Sequence, residues 1–202
     1  MSGAAKVTTS DGHVILADHI VVATNTPVND WVILHTKQAA YRTFVIGARV
    51  PRGSVPRALY WDTADPYHYI RLQEVDARLD PARIDDILIV GGEDHKTGQE
   101  RSEVDAYMRL EERFRSYFPD AQIDSRWSGQ VIETNDGLPF IGETAERQFV
   151  ATGFSGNGMT FGTLGAMMAV DAMLRRKNPW QDLFDVHRKK LLGGTWRYIR
   201  EN

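Results

Sequence analysis

The alternation of hydrophobic and polar positions changes period several times along the chain, and the changes predict its elements. Lys6 to Thr9 and His13 to Leu16 flank Ser10-Asp11-Gly12, which predicts a hairpin whose glycine supplies a positive φ. Asp18 to Thr24 follows as a short, continuous β-branched run of the kind buried in a parallel sheet. Parallel strands need crossover partners, and no βαβ unit precedes this one. The expectation is that residues before Met1 belong to the same structure and are missing here.

From about Val28 to Ser125 the period changes. Ala39 to Val50, Ala58 to Asp62 and Tyr67 to Glu74 alternate apolar and polar residues, as antiparallel strands do. Ile87 to Val90 predicts a short strand ending at Gly91-Gly92. Arg101 to Tyr117 predicts an amphipathic helix with Val104, Met108, Leu110, Phe114 and Phe118 near one face, stopped by Pro119. Strand character returns at Arg126 to Ile132 and Phe149 to Thr152. Met159 to Arg176 predicts a helix apolar nearly all round, ended by Asn178-Pro179, with Arg175-Arg176-Lys177 as its cationic last turn. Arg188 to Asn202 is polar and weakly periodic and predicts a surface tail or the start of a linker.

Charge and composition narrow the partners. The 202 residues are 42% hydrophobic and 25% charged, with 24 basic and 27 acidic side chains and a net charge of −3. That balance argues against nucleic acid or an anionic membrane surface, which need a concentrated basic field. The absence of cysteine excludes disulfides, thiolate catalysis and any iron–sulfur cluster held by these residues. No signal peptide pattern and no apolar run of membrane-spanning length is visible, so a cytoplasmic setting is expected. Glu93, Asp94 and His95 are adjacent and cannot all point at one ion, so no metal site is expected.

Two stretches carry candidate chemistry. Phe149 to Val170 reads as strand, glycine-rich turn and long apolar helix, with Gly153, Gly156 and Gly158 in six residues. Such a unit presents free N–H groups and the positive end of a helix dipole to a phosphate, a carboxylate or the electron-rich edge of a reduced flavin. Small residues at Gly162, Thr163, Gly165 and Ala166 would let the helix pack closely. The plainer reading, a tight connection whose glycines merely turn the chain, stays open on spacing alone. Trp127-Ser128-Gly129, followed by Thr134 to Gly142, reads as a strand entering a structured loop; here too a hairpin with a buried Trp is open.

Taken together, VVATNTP (Val21 to Pro27), WSGQVIETNDGLPFIG (Trp127 to Gly142) and FVATGFSGNGMTFGTLGAMMAVD (Phe149 to Asp171) resemble the C-terminal half of the D-amino-acid oxidase-like family of FAD enzymes. The resemblance covers nearly the whole chain. It implies an α/β (α+β) fold: the closing part of an FAD-binding domain plus an antiparallel-rich mixed-sheet substrate domain. The boundaries it implies are 1–27 for the end of the FAD domain's first part, 28–125 for the substrate domain, and 126–202 for the return with the flavin-facing helix and tail. Cofactor-binding candidates carried over from the motifs are Ala23, Thr24, Gly153, Phe154, Ser155, Gly156, Asn157, Gly158, Met159 and Thr160, with backbone N–H donation from Met159 and Thr160.

The tail Asn178-Pro179-Trp180, Leu183-Phe184 and Arg188, and the segment Gly91 to Gly98, resemble members followed by a Rieske domain, which implies a [2Fe-2S] cluster downstream of this chain. Two departures bear on the reaction. Val131 and Gly156 stand where amino-acid oxidases of the family carry carboxylate-binding arginines, so simple α-amino-acid oxidation is in doubt and an amine substrate is suggested. The family's G-x-G-x-x-G loop and ribose-binding acid are not in these residues.

The candidate substrate-cavity residues are Tyr69, Arg71, His95 and Lys96. Tyr69 belongs to an aromatic cluster with Tyr60, Trp61, Tyr67 and His68, for which sheet packing is the plainer reading. The implied function is oxidation of an amine or amino-acid-like C–N bond by hydride transfer to flavin, with a small-molecule substrate and the remainder of the same polypeptide as partners. The segment alone is expected to be inactive. Two alternatives stay open: a subunit that borrows its dinucleotide-binding half from a partner chain, and a non-catalytic binding domain.

Overall fold

The computed structural model describes residues 4–28, 34–75, 78, 85–99 and 102–188. The element order is β1 (Ala5–Thr8), β2 (Val14–Ala17), β3 (Ile20–Val22), β4 (Gln38–Pro51), β5 (Leu59–Trp61), β6 (Tyr69–Gln73), β7 (Asp85–Lys96), α1 (Glu103–Tyr117), β8 (Gln122–Thr134), β9 (Phe140–Ala145), β10 (Gln148–Thr152), α2 (Gly158–Met173) and α3 (Gln181–Phe184). A 3-10 turn at His35–Lys37 precedes β4. The chain divides into two units, Met1–Ala40 with Val131–Asn202 and Tyr41–Gln130. The divisions fall inside β4 and β8, so the long strands themselves carry the chain from one unit to the other.

The first unit holds the β1–β2 hairpin and a three-stranded sheet in the order β3-β10-β9. β3 runs parallel to β10, Ile20 to Val22 opposite Gln148 to Val150, while β9 runs antiparallel to it. One sheet face packs Ile141, Phe149 and Ala151 against Met168 and Ala169 of α2 and Phe184 of α3. The other face packs Val22, Phe140 and Val150 against Leu34 and Val186. The run at Asp18 to Thr24 is thus parallel but shorter than its sequence suggests. Val22 is buried, whereas Val21, which points to the opposite face of this edge strand, is 45% exposed.

α2 also differs from expectation at its end. It stops at Met173, where Arg175 enters the left-handed region (φ 53) and Arg176 N–H donates to the Asp171 carbonyl. Arg175 to Lys177 therefore follow the helix instead of forming its last turn. Of Gly162, Thr163, Gly165 and Ala166, Gly165 is the buried one, and a Cβ there would sit 3.3 Å from that of Ala151; Thr163 and Ala166 face away.

The second unit is a five-stranded sheet in the order β5-β6-β7-β4-β8 with α1 across one face. Phe44, Ile46, Ala48 and Val50 of β4, with Leu88 and Val90 of β7, meet Ala106, Leu110 and Phe114 of α1. Each large apolar side chain so buried contributes about 1.5–3 kcal/mol. The Ser102 hydroxyl caps α1 by accepting from the Asp105 N–H. Val104 and Met108, expected on the packed face, are 66% and 63% exposed. The buried stripe runs instead through positions 106, 110 and 114, a strict four-residue spacing that the longer apolar list obscured.

β7 is the main departure. It does not end at Gly91-Gly92 but runs through them to Lys96. A bulge sets Glu93 and Asp94 of β7 against the single residue Thr43 of β4, with Glu93 left-handed at φ 57. A bulge re-aims side chains. Glu93 turns to the α1 side, meeting His68 and Arg109, while Asp94 turns to Thr43.

Candidate functional site

The glycine turn of the first unit is built from β10 outward. Thr152, the last residue of β10, donates its hydroxyl to the Asn25 carbonyl at 2.6 Å. That bond ties the segment following β3 to the end of its parallel neighbour. Ala23 and Thr24 lie there, exposed, with Thr24 Oγ1 donating to the Thr26 carbonyl at 2.7 Å and Asn25 left-handed at φ 66. The carboxyl ends of neighbouring parallel strands are where open α/β sheets bind ligands.

Gly153 comes next, with φ 79, and a Cβ at this position would overlap Thr134 Cγ2. Both the backbone angle and the close approach require glycine. Ser155 (φ 48) and Gly156 (φ 80) keep the turn left-handed, and Ser155 N–H donates to the Ile132 carbonyl. α2 then starts at Gly158 with Asn157 as its N-cap, but the Asn157 side chain makes no capping bond. It donates to the Ser155 carbonyl instead. The first N–H groups of α2, at Gly158, Met159 and Thr160, thus keep their donors outward on exposed residues. Ser155 Oγ is buried without a hydrogen-bond partner among the described residues. Phe154 packs on Phe161, with ring centroids 6.3 Å apart, and anchors the turn to the helix.

These features suit the pyrimidine edge of a flavin. The turn offers a cradle that a Cβ would fill, an orphaned hydroxyl, and a helix start whose dipole favours negative charge. No sequence motif for the diphosphate end accompanies them.

One contributor is invisible in the sequence pattern. Arg188, expected in a surface tail, is 7% exposed, and Asp136 is 6% exposed. Arg188 donates through Nε and Nη2 to the two Asp136 carboxylate oxygens at 2.9 and 2.8 Å, a bidentate pair. It also donates to the carbonyls of Leu138 and Pro139 and lies 3.8 Å from the Phe140 ring centroid. Burial alone raises the Asp136 pKa, but the Arg188 hydrogen bonds and charge outweigh it and hold the carboxyl below the usual range. Thr134, which sits under Gly153, donates its hydroxyl to the Leu138 carbonyl at 2.8 Å. A chain of contacts from Arg188 through the Asp136-Gly137-Leu138 loop to Thr134 therefore shapes the floor of the glycine turn. The rest of the tail, residues 189–202, lies outside the described residues.

In the second unit, Tyr69 lies on the sheet face away from α1. Its ring covers Gly91, where any Cβ would overlap it, and its hydroxyl is 3.2 Å from Thr43 Oγ1. Thr43 also hydrogen-bonds Asp94, whose Oδ1 is buried with no partner among the described residues. Burial pushes the Tyr69 phenol up. Burial likewise pushes the Asp94 carboxyl up, with the Thr43 hydrogen bond and the His95 and His68 charges only partly offsetting it. Tyr69, Thr43 and Asp94 thus form a half-buried polar trio. Arg71 shares the face of Tyr69 but is exposed, beside Leu59 and Gln73. His95 points elsewhere: its ring stacks on Phe44, 5.2 Å between centroids, and its Nδ1 meets the Glu93 carbonyl. Lys96 is half-buried opposite Tyr41 at the end of the ladder.

The Asp94 environment makes a stability prediction. Its folded pKa lies above its unfolded one, so its favourable contribution is present below about pH 4, the ordinary aspartate pKa, and is lost as pH rises through the folded value. Asp94→Asn, which mimics the protonated form, is expected to melt at or above the wild-type temperature at pH 7. That advantage should disappear near pH 4, as thermal scans at both pH values would show.

Sequence comparisons identify the family, and fold comparisons match the architecture. The pattern of the DAO family, described as FAD dependent oxidoreductase, matches residues 2–172. A Bacillus subtilis (strain 168) protein, provisionally named the Rieske 2Fe-2S iron-sulfur protein YhfW, is 27% identical over 201 residues, 98% of this chain and 38% of its own length. The glycine oxidase of Geobacillus kaustophilus (strain HTA426) is 36% identical over 75 residues, 35% of this chain and 20% of its own. The crystal structure of glycine oxidase from Geobacillus kaustophilus superposes with a TM-score of 0.72 at 20% identity, covering 94% of this chain and 50% of that one. That of L-proline dehydrogenase from P. horikoshii gives a TM-score of 0.65 at 20% identity, covering 91% and 50%. The chain thus spans half or less of the length of these relatives. With the family pattern extending over most of its residues, the chain belongs to the DAO family of FAD-dependent oxidoreductases.

Proposed function

We propose that this chain is the part of an FAD enzyme that holds the pyrimidine edge of the flavin and the substrate, and that the enzyme oxidises the C–N bond of a cationic amine. The single observation that carries the reading is the left-handed turn at Gly153 to Gly156 opening onto the uncapped start of α2. The remainder of the cofactor site, for the diphosphate, belongs to a G-x-G-x-x-G half supplied by the same polypeptide. YhfW, whose name includes a 2Fe-2S centre, supports a Rieske domain as the onward electron acceptor.

When bound, FAD supplies the acceptor for a hydride from the carbon next to the amine nitrogen. The chain's own residues do the rest. The N–H groups of Met159 and Thr160, with the α2 dipole, favour negative charge at the edge they face. Val131 and Gly156 offer no cation for a substrate carboxylate. Within the second unit Asp94 instead offers a carboxylate to a substrate ammonium, oriented by its hydrogen bond with Thr43, whose hydroxyl Tyr69 holds in turn. An ammonium carries no lone pair to drive the oxidation, so a proton must leave nitrogen first. The raised pKa of Asp94 suits it to receive that proton on its carboxylate oxygen.

The test is the pH profile of the reductive half-reaction in protein loaded with flavin. Asp94→Asn is expected to slow flavin reduction by an amine about 10²–10⁴-fold at neutral pH, with recovery at high pH as the amine deprotonates unaided. An Asn variant with the wild-type profile would contradict the assignment.

A further inference from the structure

The second unit contains a cavity that the proposed reaction does not use. It measures about 420 Å³, within the range of small-molecule sites. Ile70 and Val90 of the sheet, with Leu110 and Phe114 of α1, line it, and Val55 and Pro56 close it from the segment before β5. Tyr60, Trp61 and Tyr117 stand at its edge. Since Ile70 and Val90 point to the side opposite Tyr69 and Gly91, the cavity opens on the α1 face of the sheet.

Its polar rim is one-sided. Asp62, His68 and Arg113 line the opening. Asp62 has no acceptor capacity to spare: Oδ1 takes the N–H groups of Ala64 and His68, and Oδ2 takes His68 Nδ1 and Arg113 Nη2. Those bonds hold the carboxyl well below the usual range despite the opposing effect of burial. His68 is fixed between Asp62 and Glu93, and Gly92 lets its ring approach, since a Cβ there would lie 2.5 Å from His68 Cδ2. Arg113, by contrast, spends only Nη2, and its Nε and Nη1 carry no partner among the described residues. The unspent charged group at the mouth is the Arg113 guanidinium, a cationic donor, beside the neutral hydroxyls of Ser54 and Tyr117.

We propose that this cavity is a second small-molecule site that takes an apolar monocarboxylate, its hydrocarbon body between Val55, Ile70, Leu110 and Phe114 and its carboxylate on Arg113. The walls supply affinity without direction, and Arg113 supplies the polarity of the head group. A neutral alcohol of the same length keeps the first and loses the second. An ammonium head meets Arg113 as a like charge.

The test titrates the 202-residue chain by calorimetry with decanoate, decanol and decylammonium below their micelle concentrations. Decanoate is expected to bind one per chain, at least about tenfold more tightly than decanol, with decylammonium weakest. Arg113→Leu should remove the preference for decanoate while leaving decanol within about twofold. Val55→Trp, which fills the cavity, should abolish binding of both, with circular dichroism confirming the fold. The comparison of the three ligands on unaltered protein stands even if a variant fails to fold. No saturable binding, equal binding of decanoate and decylammonium, or a self-associated form that excludes decanoate would each overturn the proposal, the last by assigning the cavity to a second copy.

Discussion

Replacing Arg188 by methionine is expected to cost about 3–5 kcal/mol of folding stability, because it leaves the Asp136 carboxylate buried with no cation. Against a total of about 5–15 kcal/mol for an ordinary domain, that is a large share. The loss includes the donors to the Leu138 and Pro139 carbonyls, so the loop under the glycine turn loses its shape as well. The pH dependence follows from Asp136. Its folded pKa is depressed, so its stabilising contribution is present above the unfolded value and is lost as pH falls through the folded one. The gap between wild type and Arg188→Met should be widest near pH 7 and should narrow below about pH 4. Urea titrations at the two pH values measure it. Removing both charges, as Arg188→Met with Asp136→Leu, should recover part of the loss. A single variant as stable as wild type would show that the pair carries little.

Gly153→Ala is the second large effect. The substitution places an L-residue at φ 79, costing roughly 1–2 kcal/mol, and drives its Cβ into Thr134 Cγ2, costing about another 1–3 kcal/mol. The two parts separate by design. Thr134→Ser removes the Cγ2 atom but leaves the hydroxyl that donates to Leu138, so in the Gly153→Ala background it should recover the packing part only. The backbone part remains. Thermal denaturation of the four proteins in the cycle gives the coupling directly. A Gly153→Ala protein within about 0.5 kcal/mol of wild type would mean that the turn tolerates a side chain and that glycine serves no structural need there.

Where the sequence was legible, one residue type in one local pattern decided the outcome. Ser10-Asp11-Gly12 predicted the β1–β2 hairpin, and the glycine turn with its long apolar follower predicted β10 and α2. Those signals are local, and local physics suffices to read them. The misreadings share a different cause. Gly91-Gly92 looked like an ending, yet both glycines stay in the ladder opposite Val45 and Phe44, leaving room for the Tyr69 and His68 rings, and a bulge follows them at Glu93 and Asp94. A bulge is defined by its partner strand, which lies about fifty residues away in β4 and leaves no mark within β7. Val104 and Met108 were assigned to the buried face on spacing that tolerates several stripes, and packing against the sheet selected positions 106, 110 and 114.

The site divides along the same line. The conformation of the glycine turn was readable, because glycine at left-handed positions is a local requirement. Arg188 was not, because its meaning depends on Asp136, 52 residues earlier. Asp94 was weighed only as an adjacent acid beside Glu93 and His95. The bulge sends its side chain to Thr43 and that of Glu93 to His68, giving two neighbouring carboxylates separate surroundings. Asn25 and Thr152, joined by a hydrogen bond across 127 residues, belong to the same class.

The central claim, that this chain carries the flavin edge and the amine site of an FAD oxidoreductase, is tested most directly by one spectrum. The chain is joined to a G-x-G-x-x-G half, loaded with FAD and mixed with an amine series in the absence of oxygen. The account predicts that the flavin absorbance bleaches with cationic amines, faster than with the corresponding α-amino acids, whose carboxylate has no arginine at Val131 or Gly156 to receive it. Flavin that binds but stays oxidised with every amine and reduces only with α-amino acids would contradict it.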